Sequence, residues 1–146
     1  MSNFDTRTRE VHCLRVDPDA VLPKRAHPTD GGADLYSAQS LEILPGKGAL
    51  VDTGIAVKIP SGWQGQIDPR SSMRVKGLTC HGTGIIDSAY RGTLKVFIHN
   101  MSNDNFVIEK YKTRIGQLSI VPVLLATFVD TWNDTDRGVG GFGSTG

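Results

Sequence analysis

The chain has 146 residues and a mass of 15.8 kDa, with 16 basic and 15 acidic side chains and a formal net charge of +1. This length predicts a single domain with one core. A net charge so close to zero excludes the broad basic surface typical of proteins that bind DNA, RNA or a membrane. We therefore expect no nucleic-acid or membrane partner, and any anion must be bound by a local site.

Three features indicate a soluble cytoplasmic protein. Cys13 and Cys80 form neither a CxxC pair nor a disulfide-dense pattern, which favours reduced thiols. The first residues, MSNFDTRTRE, are polar and charged, unlike a signal peptide. The longest apolar stretch, residues 121–129, contains Pro122 and is too short to span a bilayer.

Short alternating segments dominate the chain and predict β-strands. Ile55, Val57 and Ile59 alternate with Ala56 and Lys58, the pattern of a half-buried strand. Turn sequences rich in the 17 glycines and 7 prolines separate the segments. In chain order, strands are predicted at residues 51–53, 55–59, 63–67, 94–99, 106–109 and 115–121. This organisation predicts an all-β sandwich or barrel.

Two motifs in the first half carry polar side chains suited to a site. Residues 32–36, GADLY, precede a strand and predict a tight turn with a buried, hydrogen-bonded Asp34, whose role we interpret as structural support. Residues 69–73, PRSSM, lead from a strand into a predicted short helix at 71–76. Either Ser71 and Ser72 cap the helix, or their hydroxyls and Arg70 form a phosphate site. The sequence favours neither alternative.

Residues 84–92, GIIDSAYRG, are predicted to form one end of a hairpin that runs into a strand beginning near Thr93. Asp87 is placed either to deprotonate a water molecule or to accept backbone hydrogen bonds in a turn. Tyr90 either packs against a sugar or lies on the sheet surface. Gln117 offers an amide donor at a strand start. The histidines lack zinc spacing, so we expect no metal ligand among His12, His27, His81 and His99.

The last ten residues, RGVGGFGSTG, are half glycine and cannot build a core. Arg137 suits a phosphate, and Phe142 offers a face on which a base can stack. The segment is therefore either a lid for a phosphorylated aromatic ligand or a disordered chain end.

Taken in order, GADLYSA, PRSSM, GIIDSAYRG, RIGQL and RGVGGFGSTG resemble the five motifs of the homotrimeric dUTP pyrophosphatase (dUTPase) family, over residues 22–146. The resemblance implies an all-β, jelly-roll-like barrel or sandwich with one short helix. It implies a β domain at residues 1–136, a flexible glycine-rich arm at 137–146, and a homotrimer with shared active sites. The implied reaction is Mg²⁺-dependent hydrolysis of dUTP to dUMP and pyrophosphate by water attack at the α-phosphorus.

The resemblance also implies roles for individual residues. Asp87 is the general base, Tyr90 packs against the deoxyribose, and Asp34 reaches the metal only through water. Uracil is recognised by backbone groups of the motif around Asp87 and near Lys95. Phosphate-binding residues are Arg70, Ser71, Ser72 and Gln117; uracil-binding positions are His81, Gly84, Ile85, Ile86 and Lys95; and the arm contributes Arg137, Phe142, Gly143, Ser144 and Thr145 over the base and the γ-phosphate.

Three positions depart from the pattern of the family. Ser72 stands where many members have glycine, His81 where several have asparagine, and Ala89 where an acidic residue is common. Two other functions stay open. One is a dCTP deaminase, whose fold and RSS element are similar. The other is a nucleotide-sensing protein in which dUTP-driven closure of the arm changes the binding of a protein partner.

Overall fold

The computed structural model describes residues 10–80 and 84–144. His81 and Thr145, both predicted site residues, lie outside the described residues. The described part contains ten strands and one helix: β1 His12–Arg15, β2 Ala33–Tyr36, β3 Leu41–Ile43, β4 Gly48–Lys58, β5 Trp63–Asp68, α1 Ser71–Val75, β6 Leu78–Cys80, β7 Gly84–Ile86, β8 Thr93–Asn100, β9 Phe106–Ile108 and β10 Arg114–Pro122.

The strands form two four-stranded sheets, in the orders β1-β4-β8-β6 and β2-β10-β5-β7, with a two-stranded sheet of β3 and β9. Every strand pairing is antiparallel. One apolar cluster joins the sheets, with Val96 and Ile98 from the first and Ile67 and Ile115 from the second. The all-β prediction is confirmed. Strands that are neighbours in a sheet are often far apart in the sequence, which gives the crossed connections of a jelly roll.

The alternation along β8 is as predicted, whereas that along β4 is only partly so. In β8, Val96 and Ile98 are buried while Lys95 and Phe97 face outward. In β4, residues 53–57 are buried on both faces, so the prediction of a half-buried strand was wrong there. The reason is that the loop after β1 packs on this part of β4: a Cβ at Gly54 would lie 2.8 Å from the Asp17 Cβ and 3.2 Å from the Ala20 Cβ.

Two local predictions were also wrong. Residues 33–36 form strand β2 itself rather than a turn before a strand, because they pair with β10. Strands β7 and β8 do not form a hairpin: β7 pairs with β5, whereas β8 pairs with β4 and β6. A turn closed by the Tyr90 N–H and the Asp87 carbonyl, 3.1 Å apart, carries the chain from one sheet to the other.

The segment after β10 leaves the sheets with its apolar side chains exposed. Leu124, Phe128 and Trp132 are 89%, 96% and 88% exposed. Residues 137–144 contain only local turns, closed by bonds such as Gly140 N–H to Arg137 carbonyl at 3.1 Å. The division into a β domain and an arm stays a prediction. In the part of the chain that the structure describes, no helix is long and apolar enough to cross a membrane.

Candidate active site

The junction between β5 and α1 presents a cluster of polar side chains. Pro69 follows β5, and Arg70 has the extended backbone of an N-cap, with φ −72° and ψ 148°. No side chain caps the helix, so the capping alternative for Ser71 and Ser72 was wrong. Instead, both serines are exposed in the first turn, and the Ser72 hydroxyl accepts a hydrogen bond from Arg70 Nη1 at 3.3 Å. The hydroxyls thus remain beside the guanidinium.

Asp34 links this junction to β2 and β10. Its Oδ1 accepts a hydrogen bond from Arg70 Nε at 2.9 Å, and its Oδ2 lies 3.5 Å from Arg114 Nη1. The Asp34 side chain is only 13% exposed, and burying a carboxylate requires such compensation. The prediction of a hydrogen-bonded Asp34 is confirmed, although the residue is half-buried rather than buried, and its role in structural support stays a prediction.

Arg114 is a partner of Asp34 that sequence reasoning missed. Residues three apart in a regular strand face opposite sides of a sheet. The spacing of Arg114 and Gln117 therefore predicts that the two side chains lie on different faces. The β10–β2 register shifts, with Arg114 opposite Tyr36 and Gly116 opposite Leu35, which leaves Ile115 as an extra residue. This β-bulge brings Arg114 to the face of the sheet on which Asp34 lies.

A cavity of about 340 Å³ lies between these elements, lined among others by Gly32, Asp34, Arg70, Ser71 and Gln117. Gln117 lies opposite Asp34 on β10, and its Nε2 donates to the Pro69 carbonyl at 3.3 Å. Gly32 packs closely against Gln117, because a Cβ at position 32 would come within 2.4 Å of Gln117 Oε1 and the Gln117 side chain would have to shift. The cavity therefore gathers a guanidinium, a hydroxyl and an amide, which are donors suited to phosphate oxygens.

The segment around Asp87 forms a second, more open group. Asp87 follows β7 and is exposed, as are Gly84 and Ile85, whereas Ile86 is half-buried. Tyr90 is 43% exposed, and its hydroxyl donates to the Thr93 carbonyl at 3.0 Å. Lys95 is exposed on β8, the next strand along the chain, which belongs to the other sheet. The Tyr90 ring therefore lies at the surface, where it can contact a ligand.

The two groups lie far apart within one chain. Because β5 and β7 are antiparallel with Gly65 opposite Ile86, Asp87 lies near the start of β5, whereas Arg70 follows its end. The five residues from position 65 to 70 span roughly 17 Å of extended chain. The structure therefore brings Arg70, Ser71, Ser72 and Gln117 together, but it does not bring Asp87 to them.

The hydrogen bonds described for the arm are local, joining residues three apart in the chain, and one of them runs from the Gly138 N–H to the Thr135 carbonyl at 3.0 Å. Arg137 Nε donates to the Gly140 carbonyl at 2.8 Å. Phe142 is fully exposed at 114%, and Gly143 and Ser144 are also exposed. The left-handed backbone at Gly143, with φ +81°, turns the chain without steric cost. None of the described arm residues, 137–144, lines the cavity.

Comparison with protein families decides the identity. The family model named dUTPase matches residues 19–146, which include the cavity, the Asp87 turn and the described arm. The chain belongs to the dUTPase family. The resemblance of the five motifs to that family is thereby confirmed.

Individual relatives agree with this membership. A deoxyuridine 5′-triphosphate nucleotidohydrolase of Corynebacterium diphtheriae is 43% identical over 150 residues, covering 100% of this chain and 99% of that protein. A mutant dUTPase of Staphylococcus bacteriophage 80alpha with dUpNHpp is 30% identical with a TM-score of 0.84, covering 95% of this chain and 99% of that one. The jelly-roll assignment is confirmed by these likenesses.

A third similar structure, a mutant dUTPase of phage phi11 of S. aureus, was described for its coordination of a structural Mg(II) ion. It is 25% identical, covers 87% of this chain and 99% of that one, and has a TM-score of 0.76. In this chain, residues 10–80 and 84–144 hold no group of three or more His, Cys, Asp or Glu side chains able to bind a metal. Both Asp34 oxygens face arginines. The hydrogen-bond donors of Arg70, Ser71 and Gln117 suit phosphate oxygens rather than a cation. The cavity therefore fits a Mg²⁺ ion that is bound mainly by substrate phosphates, the usual mode for this cation.

A hydrogen bond between an aspartate and a tyrosine elsewhere in the fold shifts the pKa of both side chains. The Tyr111 hydroxyl donates to Asp17 Oδ2 at 2.7 Å, which lowers the pKa of Asp17 and raises that of Tyr111. Burial raises the pKa of the Cys13 thiol against a smaller effect of Arg15. Sequence reasoning missed the Asp17–Tyr111 pair because 94 residues separate its members.

Proposed function

We propose that this chain is a dUTP diphosphatase, which hydrolyses dUTP to dUMP and pyrophosphate by attack of water on the α-phosphorus. The observation that carries the proposal is the cavity in which Arg70, Ser71 and Gln117 converge, in a chain whose family match extends over residues 19–146. The hydrolysis would limit uracil in DNA and supply dUMP for the synthesis of dTMP.

The cavity residues stabilise the triphosphate. Phosphoryl transfer depends mainly on positioning and on neutralising charge, so fixed donors are effective catalysts. Arg70 supplies a charged planar fork, Ser71 and Ser72 supply hydroxyls, and Gln117 supplies an amide N–H. Because the Arg70 and Gln117 side chains are already held by Asp34 and Pro69, little reorganisation is needed when phosphate binds.

Asp87 is the general base that takes a proton from the attacking water. Its exposure after β7 leaves room for a water molecule and for the substrate. Tyr90 packs against the deoxyribose and excludes a 2′-hydroxyl, and the backbone of residues 81–87 and of Lys95 recognises the uracil edge. Mg²⁺ bound to the phosphates would neutralise charge that develops on the leaving pyrophosphate, with Asp34 at most a partner of its water shell.

The active site is completed by other copies of the chain in a homotrimer. Support comes from the roughly 17 Å of strand between the Asp87 end of β5 and Arg70, which a single chain does not bridge. The exposed Leu124, Phe128 and Trp132 support a segment that packs on a neighbour. The arm then closes over the site, with Phe142 on uracil and Arg137, Ser144 and Thr145 on the γ-phosphate.

The first experiment measures pyrophosphate and ammonia release from dUTP, dCTP, dTTP and UTP in the presence of Mg²⁺. Pyrophosphate from dUTP alone is expected, and it would also show that His81 leaves base selection intact. Ammonia from dCTP would instead identify a dCTP deaminase. No product from any of the four nucleotides would contradict both enzyme assignments.

A second candidate function is nucleotide-dependent binding of a protein partner. Similar dUTPases of phage 80alpha were described as controlling transfer of virulence genes by a G protein-like mechanism. The exposed arm of this chain offers a surface that dUTP would change. Binding of a partner that differs between the free protein and the dUpNHpp complex would support this function, and equal binding would exclude it.

The free thiol of Cys13 supports a cytoplasmic location.

A further inference from the structure

The carboxylate of Asp34 is shared between an arginine that lines the cavity and one that does not. Arg70 lines the cavity and holds Oδ1 through Nε at 2.9 Å. Arg114 does not line it, yet its Nη1 lies 3.5 Å from Oδ2. The Arg114 side chain is 44% exposed at the start of β10. Its connection to the cavity therefore runs through Asp34.

The β-bulge at Ile115 makes this contact possible. Without the extra residue, the alternation of side chains would put Arg114 on the opposite face from Gln117. Ile115 is fully buried in the core, so the bulge is anchored by packing. The fold thus carries an irregularity whose consequence is an additional cation beside Asp34.

The charges explain what that cation contributes. Arg70 and Asp34 alone form a pair of zero net charge, which attracts a phosphate weakly. Asp30 also lines the cavity, so Arg70, Asp34 and Asp30 together carry a net charge of −1, and Arg114 brings the four side chains to zero. Since Asp34 is mostly buried, the interactions within this group are screened less than those of a surface pair. Because Arg114 offsets the charge of Asp34, Asp34 can orient Arg70 while cancelling less of the charge that Arg70 presents to a ligand.

We propose that Arg114 is a positioning residue for phosphate binding, which holds and neutralises Asp34 so that the Arg70 guanidinium stays oriented and cationic toward the triphosphate. The proposal rests on the proposed function, because the ligand in question is the phosphate chain of dUTP. The contact joins a single nitrogen to a single oxygen, so a lysine ammonium can replace the guanidinium of Arg114.

The test compares Arg114→Gln, Arg114→Lys and Lys112→Gln. Lys112 is the matched control, because it lies two residues away and pairs only at the surface with Glu109, at 3.7 Å. We expect Arg114→Gln to raise the KM for dUTP about tenfold, as loss of one nearby charge predicts, with kcat changed less than about threefold. Arg114→Lys should restore most of the KM, and Lys112→Gln should leave it unchanged.

A second measurement separates this proposal from the proposed function. Calorimetric titration with inorganic tripolyphosphate should show about tenfold weaker binding to Arg114→Gln than to the unsubstituted protein. This comparison decides the role of Arg114 even if the protein releases no pyrophosphate from dUTP. Unchanged KM and affinity in Arg114→Gln, no restoration in Arg114→Lys, or an equal loss in Lys112→Gln would each overturn the proposal. Thermal unfolding shows whether each variant is folded. If Arg114→Gln does not fold, Arg114→Met takes its place in both measurements.

Discussion

The phosphate cavity and the Asp87 turn differ in how the chain holds them. The cavity side chains are fixed by partners from other elements: Arg70 by Asp34, and Gln117 by Pro69. The hydrogen bonds described for Asp87 and Tyr90 join residues within three positions in the chain, and those described for the arm are equally local. The phosphate cavity is therefore preorganised, whereas the Asp87 turn and the arm need a partner chain or a ligand to complete the proposed site.

This difference matches the demands of the reaction. A triphosphate carries several negative charges, and preformed donors bind it without a large ordering cost. An exposed base and an arm that closes later allow substrate to enter and product to leave. Substitutions in the two regions should therefore differ in whether they change kcat or KM, and in whether they change stability.

The largest effect is expected from Asp87→Asn. Loss of the general base should lower kcat by about 10²–10⁴-fold, with KM and thermal stability nearly unchanged because Asp87 is exposed. Steady-state kinetics and thermal unfolding measure the three quantities. Asp104→Asn is the control, since it changes an exposed carboxylate in another turn. Turnover close to normal in Asp87→Asn would remove Asp87 from the mechanism.

Deletion of residues 137–146 should lower activity by about 100-fold, because the donors that close on the γ-phosphate are lost. The unfolding temperature and the oligomeric state should not change, since the described arm residues make only local bonds. Activity assays, thermal unfolding and light scattering measure these effects. Dissociation or unfolding of the truncated protein would show that the arm is structural instead.

Gly32→Ala tests the preorganised cavity. A Cβ at position 32 would lie 2.4 Å from Gln117 Oε1, so the amide must move away from its position beside Pro69. We expect about a tenfold rise in KM for dUTP with kcat and folding retained. Gly31→Ala is a close control, because a Cβ there meets no atom within 4 Å. Equal KM values for the two variants would argue against a fixed Gln117.

The sequence predicts the longer strands β4, β5, β8 and β10 better than it predicts the pairing of any strand, whereas the short strands β1, β3 and β6 were not predicted. Alternation identified β8, and the short helix was placed within a residue of its observed start and end. The hairpin of β7 and β8 was predicted wrongly because a turn sequence specifies a local reversal, whereas sheet pairing depends on contacts distant in the chain. Burial of both faces of β4 was missed for the same reason, since the covering loop comes from residues 16–20.

The candidate site divides along similar lines. The motifs identified Arg70, Ser71 and Gln117, which the fold brings to one cavity. Arg114 escaped detection because its position depends on a bulge, and alternation puts it on the wrong face. The separation of Asp87 from the cavity also could not be read from motif order, because it follows from the register of β5 and β7.

The smallest effect is expected at the Asp17–Tyr111 pair, which lies outside both regions of the site. Tyr111→Phe removes the 2.7 Å hydrogen bond and should lower the unfolding temperature by about 2 °C, with kcat and KM unchanged. The lowered pKa of Asp17 means that its contribution is present above the ordinary value of 3.8 and is lost as the pH falls through the lowered value. The raised pKa of Tyr111 means that its contribution is present below 10.0 and is lost as the pH rises through the raised value.

The difference in unfolding temperature between the parent protein and Tyr111→Phe should therefore be largest near neutral pH and shrink at both extremes. Asp17→Asn and the double variant complete a cycle that isolates the pair, and the two single effects should sum to more than the double effect. A constant difference across pH would assign the loss to packing of the ring. A change in KM would instead couple this pair to the phosphate cavity and break the division between a preorganised site and its surroundings.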